Sequence, residues 1–164
     1  MTIILTVKGR SEYTFRWLEY AKLKKFPFSI LIADGSSDFF VKEYIDKSNF
    51  EELNIKYVKF EEDKNFEIFY SKVKKSFELV ETKYCIMADN DDFYSLNGLT
   101  EAVRFLDENK DYVACGGRLA TFIIENGQVY GNMVNFYSSN YSYYSEPKPK
   151  DRIIKYLSGA PGPY

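Results

Sequence analysis

The stretch YCIMADNDDFY, residues 84–94, sets three carboxylates, Asp89, Asp91 and Asp92, directly behind a short apolar run. Carboxylates this close repel one another, and at the semi-buried end of a strand that repulsion costs kilocalories unless a positive charge is near. Their oxygens are hard ligands suited to Mg²⁺ or Mn²⁺. A site made of one or two protein carboxylates also leaves coordination positions for phosphate oxygens, so an ion held there would neutralise a diphosphate leaving group. An EF-hand does not fit. Counting from Asp89, the fifth position is Phe93, the sixth is Tyr94 where glycine is needed, and the twelfth is Thr100 where glutamate is needed. Helix capping competes as an explanation, since a helix follows and its N-terminus favours anions, but one cap needs only one side chain.

Composition narrows the chemistry further. The chain has no histidine, and Cys85 and Cys115 lack CxxC spacing, so a zinc site of the usual Cys/His kind and every histidine-based nucleophile or base are excluded. Acid–base work falls to carboxylates, lysine or tyrosine, and both thiols are expected in the core. A net charge of -2 gives no field that would draw in nucleic acid. At 164 residues and 45% apolar content the chain suits one soluble domain. No apolar run is long enough to cross a bilayer and MTIILTVKGR lacks the features of a signal peptide, so the expected compartment is the cytoplasm.

The elements that must position the acidic cluster follow from periodicity. Apolar runs at Thr2–Val7, Phe28–Ala33, Ile55–Phe60 and Tyr84–Ala88 read as strands covered on both faces. Between them lie helical patterns. The first carries Thr14, Trp17, Leu18 and Ala21 after Ser11 as N-cap, and the second carries Phe40, Val41, Tyr44 and Ile45 after Ser37 or Asp38. The third, from about residue 65 to 80, has an apolar face of Phe66, Phe69, Tyr70, Val73, Phe77 and Val80, with Lys72, Lys74 and Lys75 on a solvated face. A fourth, capped by Ser95 or Asn97, carries Leu99, Val103 and Leu106. Such alternation predicts a mostly parallel sheet with helices on both faces, and ligands of such sheets bind at the carboxyl ends of the strands. Gly9-Arg10, Asp34–Ser37 and Asp89–Asp92 all fall at that end.

After residue 110 the pattern changes. Arg118–Ile124 and Gln128–Phe136 predict a β-hairpin through Glu125-Asn126-Gly127. A loop-like stretch with Tyr137, Tyr141, Tyr143 and Tyr144 leads to a short helix at Asp151–Leu157. The tyrosines suit a sugar-stacking lid or a partner interface as well as a plain loop.

The ordered segments TIILTVKGR, ILIADGSSD and YCIMADNDDFY resemble the nucleotide-sugar half of the family 2 glycosyltransferases of GT-A fold, over about residues 2–110. The resemblance implies an α/β, Rossmann-like sheet with a C-terminal hairpin added. Residues 1–110 would be the nucleotide-sugar-binding subdomain and 111–164 a partial acceptor-side segment of the same domain. It makes Asp91 the metal ligand and Asp89 the contact to the ribose or to the same Mn²⁺ or Mg²⁺. Asp34 would contact the nucleobase, the backbone of Thr6 and Val7 would line it, Arg10 would match the Arg of the family's first loop at the donor site, with a surface salt bridge as the competing reading, and Lys72 would lie toward the diphosphate. Implied partners are a nucleotide-sugar donor, most often a UDP-sugar, and a glycan or lipid-linked acceptor, with inversion at the transferred carbon. Attachment at the inner face of a membrane and self-association are both compatible with it. Thr6 and Gly9 depart from the family's usual Pro and Asn. No motif supplies the family's general base: Asp151 is a candidate, but an N-cap role competes. The chain is expected to end before or within the acceptor-side segment. Two alternatives stand beside this: a degenerate, non-catalytic binding module acting through its aromatic C-terminal surface, and a metal-dependent nucleotidyltransferase.

Overall fold

The computed structural model describes residues 1–117, 119–123, 132–137 and 146–158. Its elements in chain order are β1 (Thr2–Val7), α1 (Ser11–Leu23), β2 (Ser29–Asp34), α2 (Phe40–Lys47), β3 (Asn54–Lys59), α3 (Phe66–Glu78), β4 (Cys85–Asp89), α4 (Leu96–Glu108), β5 (Leu119–Ile123), β6 (Asn132–Tyr137) and α5 (Pro149–Leu157). Residues Met1–Leu99 and Thr100–Tyr164 form two compact units. No described helix is long and apolar enough to cross a membrane.

The first unit is built on a four-stranded, all-parallel sheet in the order β3-β2-β1-β4. Its central strands are apolar on both faces because both faces are covered. On one side Ile3, Leu5, Val7, Ile30 and Ile32 pack with Trp17, Leu18 and Ala21 of α1 and Val41 of α2. On the other a smaller cluster of Ile4, Leu31 and Ala33 is closed by Leu79 and Val80, just beyond α3. Ser95 caps α4 as expected, its Oγ accepting from Gly98 N–H at 3.3 Å, and α3 is capped by Asn65, whose side chain accepts from Ile68 N–H at 3.0 Å.

Several sequence expectations are corrected. Side chains of β4 alternate between its two faces, and Ile86 and Ala88 meet the core while Cys85, Met87 and Asp89, on the other face, are exposed. Neither thiol is a core residue, since Cys115 is exposed as well. Ser11 is the first residue of α1 rather than its cap, a place taken by Arg10. Helix α5 starts at Pro149, which puts Asp151 inside its first turn.

Helix α3 is rotated from the expected face: Phe69, Val73 and Val80 are half-buried and Lys74 and Lys75 exposed as expected, but Lys72 is buried. Its inward residues are Lys72 and Ser76, while Phe66, Tyr70 and Phe77 face solvent. Two interactions explain this. The Lys72 ammonium reaches the Val7 carbonyl at 3.0 Å and the Asp63 carboxylate, both buried, and Ser76 Oγ donates to the Lys72 carbonyl at 2.8 Å. A buried charge pair that is hydrogen-bonded can be held in the core, whereas its members unpaired could not, and here only Asp63 Oδ1 is left without a partner among the pair's carboxylate oxygens. Outside, Phe66 and Tyr70 stack on each other, with centroids 6.4 Å apart.

The second unit contains an antiparallel pair, β5 with β6, whose register shifts between Thr121 and Phe122. The Glu125-Asn126-Gly127 connection, Tyr141, Tyr143, Tyr144 and residues 159–164 lie outside the described residues. Helix α5 is anchored by Arg152, whose guanidinium donates to the Asp111 carboxylate at 2.9 Å and the Glu146 carbonyl at 2.7 Å, over the ring of Tyr112.

Gly35, just past β2, is needed for space. An added Cβ would overlap the carboxyl group of Asp63, which is 2% exposed and pinned by Lys72. Gly35→Ala is expected to destabilise the chain by about 1–3 kcal/mol, the usual cost of overpacking a tight site. Urea unfolding followed by circular dichroism measures this.

Candidate functional site

Parallel pairing brings the ends of three strands side by side. Thr6 of β1 is registered with Ala33 of β2 and Asp89 of β4, and Val7 with Asp34. The predicted residues Thr6, Val7, Arg10, Asp34, Asp89 and Asp91 therefore gather at one rim of the first unit.

Asp34 is fully buried and its oxygens are engaged. Oδ1 accepts from Ser36 N–H at 2.7 Å, and Oδ2 accepts from the Tyr57 hydroxyl at 2.6 Å with Lys59 Nζ 3.3 Å away. Burial, and then the Asp34 carboxylate, push the Tyr57 phenol well above its ordinary range, so it stays protonated as a donor. Lys59 also donates to the carbonyls of Ser36 at 2.7 Å and Asp38 at 2.5 Å. Ser36 Oγ accepts from Gly9 N–H at 2.8 Å, tying the β2 loop to the β1 loop.

Beneath the rim, the Val7 carbonyl accepts from Gly35 N–H at 2.9 Å and from Lys72. Lys72 is 2% exposed, so its ammonium sits under the loop and is committed to Val7 and Asp63. It holds the end of β1 in place.

Gly9 and Arg10 both have positive φ, +59° and 49°. For arginine this conformation costs about 1 kcal/mol, so something must hold it. The carbonyl of Arg10 accepts from Asn90 Nδ2 at 3.3 Å, its guanidinium is hydrogen-bonded to Asp91 Oδ2, and it lies 4.7 Å from the centre of the Tyr13 ring. Asn90 is 7% exposed and also donates to Thr14 Oγ1 at 3.0 Å. The residue between the two aspartates of the motif is thus the clasp between β4 and the first loop.

Asp89, Asp91 and Asp92 are all exposed. Partial burial raises the Asp92 carboxyl above the ordinary range, and the charges of Asp91 and Asp89 raise it further. The hydrogen bond to Asp91, followed by its charge, raises the Arg10 guanidinium. Among the described residues no three His, Cys, Asp or Glu side chains are gathered to hold a metal ion. The donor set nevertheless fits a hard cation that completes its shell from a substrate: the carboxylates are accessible, incompletely compensated, and Asp91 has already drawn in a cation, the guanidinium.

Sequence reasoning assigned no role to Ser36, Tyr57, Lys59, Asp63 or Asn90. Asn90 could have been found from its position inside Asp89–Asp91. The others are united only by tertiary contacts. Asp151 is exposed in the second unit.

The chain matches the family model described as glycosyl transferase family 2 over residues 2–160, nearly its whole length. It belongs to that family. Among solved structures it is similar to the crystal structure of S. aureus TarS 1-349, with TM-score 0.54 and 19% identity over 66% of this chain and 32% of that one. A second crystal structure of S. aureus TarS aligns with TM-score 0.49 and 20% identity over 66% and 20%. The first likeness supports the GT-A, Rossmann-like fold. No curated protein sequence matches the chain.

Because Lys72 neutralises a buried carboxylate, Lys72→Met should destabilise the fold by about 3–5 kcal/mol, the cost of stranding one member of a buried pair. The exposed control Lys74→Met should change stability by no more than about 0.5 kcal/mol. Chemical denaturation of the two variants separates a core lysine from a surface one.

Proposed function

We propose that the chain is the donor-binding part of a metal-dependent glycosyltransferase that uses a nucleoside-diphosphate sugar, a UDP-sugar for preference. The observation carrying this is the rim itself: Val7, Asp34 and Asp89 end three adjacent strands, and Asp91 beside them has recruited a cation. Ligands of parallel α/β sheets lie at this edge.

Asp91 and Asp89 would hold Mn²⁺ or Mg²⁺, with Asp89 also within the reach of the donor's ribose. The ion supplies charge for the departing diphosphate. The backbone of Thr6 and Val7 lines the base, in a position set by Lys72 and Ser36. Asp34, buried and held by the Ser36 amide and Tyr57, would serve the nucleobase side by fixing the loop after β2 that faces it. Arg10 serves the diphosphate side. Lys72, sealed below the loop, contributes by positioning Val7. The reading includes inversion at the transferred carbon and a carboxylate base on the acceptor hydroxyl. The acceptor would be a glycan or a lipid-linked sugar.

Calorimetric titration of UDP with and without Mn²⁺ tests the assignment. Wild type should bind UDP in a Mn²⁺-dependent manner. Asp91→Asn, which removes charge from an exposed side chain, should keep its thermal unfolding midpoint and lose affinity by about tenfold or more, each factor of ten being about 1.4 kcal/mol. Equal affinity in both proteins would remove Asp91 from the metal site.

A further inference from the structure

The guanidinium of Arg10 lies on the same carboxylate that the proposed function gives to the metal. We propose that Arg10 is the resident counter-ion of Asp91, that a divalent cation displaces it, and that the released guanidinium is delivered to the donor's diphosphate. This rests on the donor-site reading above and adds to it a coupling between metal and nucleotide through one side chain.

Four observations carry it. The ion pair is exposed on both sides, 54% for the Arg10 side chain and 39% for Asp91, so it can open without disturbing the core. Exposed pairs are weak, and a divalent ion on the same oxygen outcompetes them. Second, the backbone of Arg10 does not depend on the pair. Its carbonyl is held by Asn90, and the preceding Gly9 N–H by Ser36 Oγ, so the base of the side chain stays at the rim when the guanidinium leaves. Third, the Tyr13 ring lies 4.7 Å from the Arg10 guanidinium, with Arg16 at 4.4 Å from the same ring, giving the freed group an aromatic support beside the site. Fourth, Asp89 and Asp92 carry further negative charge that one guanidinium does not offset.

The consequence is that positive charge is added to the rim and none is lost. Without metal, Arg10 screens Asp91 and keeps the cluster from self-repulsion. With metal on Asp91, the guanidinium becomes an extra cation for phosphate oxygens, which it can meet with paired N–H donors. Metal should then favour nucleotide, and nucleotide metal, by the same factor, as linkage requires. Asn90 acts as the positioning residue, because its side chain joins the aspartate motif to the Arg10 backbone.

The test uses the whole chain. Mn²⁺ binding without nucleotide is read from the electron paramagnetic resonance signal of free Mn²⁺, and UDP binding at saturating Mn²⁺ by calorimetry, for wild type, Arg10→Gln and Arg10→Lys. Arg10→Gln should bind Mn²⁺ about threefold to tenfold more tightly than wild type and UDP more weakly by a similar factor, as expected for loss of one competing exposed charge. Arg10→Lys, which keeps the charge without the planar fork, should fall between the two in both measurements. Circular dichroism confirms that the variants fold. If wild type binds Mn²⁺ and Arg10→Gln binds it equally or less tightly, the exchange is overturned while the donor site stands. If no protein binds Mn²⁺ and UDP affinity is indifferent to it, the donor-site reading and the exchange fall together.

Discussion

A lysine ammonium buried beneath the carboxyl end of the central strand sets much of the first unit's architecture. Lys72 donates to the Val7 carbonyl and to Asp63, and neither it nor Asp63 is more than 2% exposed. Moving such a pair out of water is costly, and the geometry must repay it through hydrogen bonds. The consequences spread outward from there. Asp63 occupies the volume beside Gly35, so the residue after Asp34 can carry no side chain. Helix α3 must turn its Lys72 and Ser76 stripe inward, which sends Phe66, Tyr70 and Phe77 to the surface. The end of β1, from which the first loop departs, is held by a charge-assisted bond as well as by the sheet.

Above this anchor the rim is a problem in electrostatics. Three exposed carboxylates lie within four residues at the end of an outer strand, and Arg10 is drawn toward them from a strained left-handed backbone. The protein holds that strain with Asn90 and Ser36, two neutral hydrogen-bonding side chains from the neighbouring strand ends. Strain kept by neighbours, next to a partly compensated charge cluster, is the kind of local cost that accompanies ligand sites. The same rim keeps Asp34 engaged on both oxygens, so its orientation is pre-set before any ligand arrives.

Membership of glycosyl transferase family 2 fits this arrangement, and the fold resembles that of TarS over a part of that protein's length. The electrostatic logic does not depend on either likeness. A cluster that recruits a guanidinium is suited to a hard cation, and a cation there is suited to phosphate oxygens.

What the sequence determined by itself was whatever repeats at short range. The strand runs TIILTV and FSILIA, the second observed one residue later as Ser29–Asp34, the alternation with helices, and the convergence of Gly9-Arg10, Asp34 and Asp89–Asp92 on one rim were legible, because period and handedness constrain a parallel sheet tightly. What only the tertiary structure decided was which chemically ambiguous side chains go inside. The aromatic stripe of α3 looked like its buried face, yet Lys72 turned inward because two acceptors, Asp63 just before the helix and Val7 far away in sequence, were waiting for it. The thiol of Cys85 looked like core, yet it lies on the face of β4 opposite Ile86 and Ala88, and that face is exposed. Periodicity reports the average apolar preference of a helix or strand face. It carries no record of a hydrogen-bond partner 65 residues away, and at Lys72 that partner outweighed the apolar pattern.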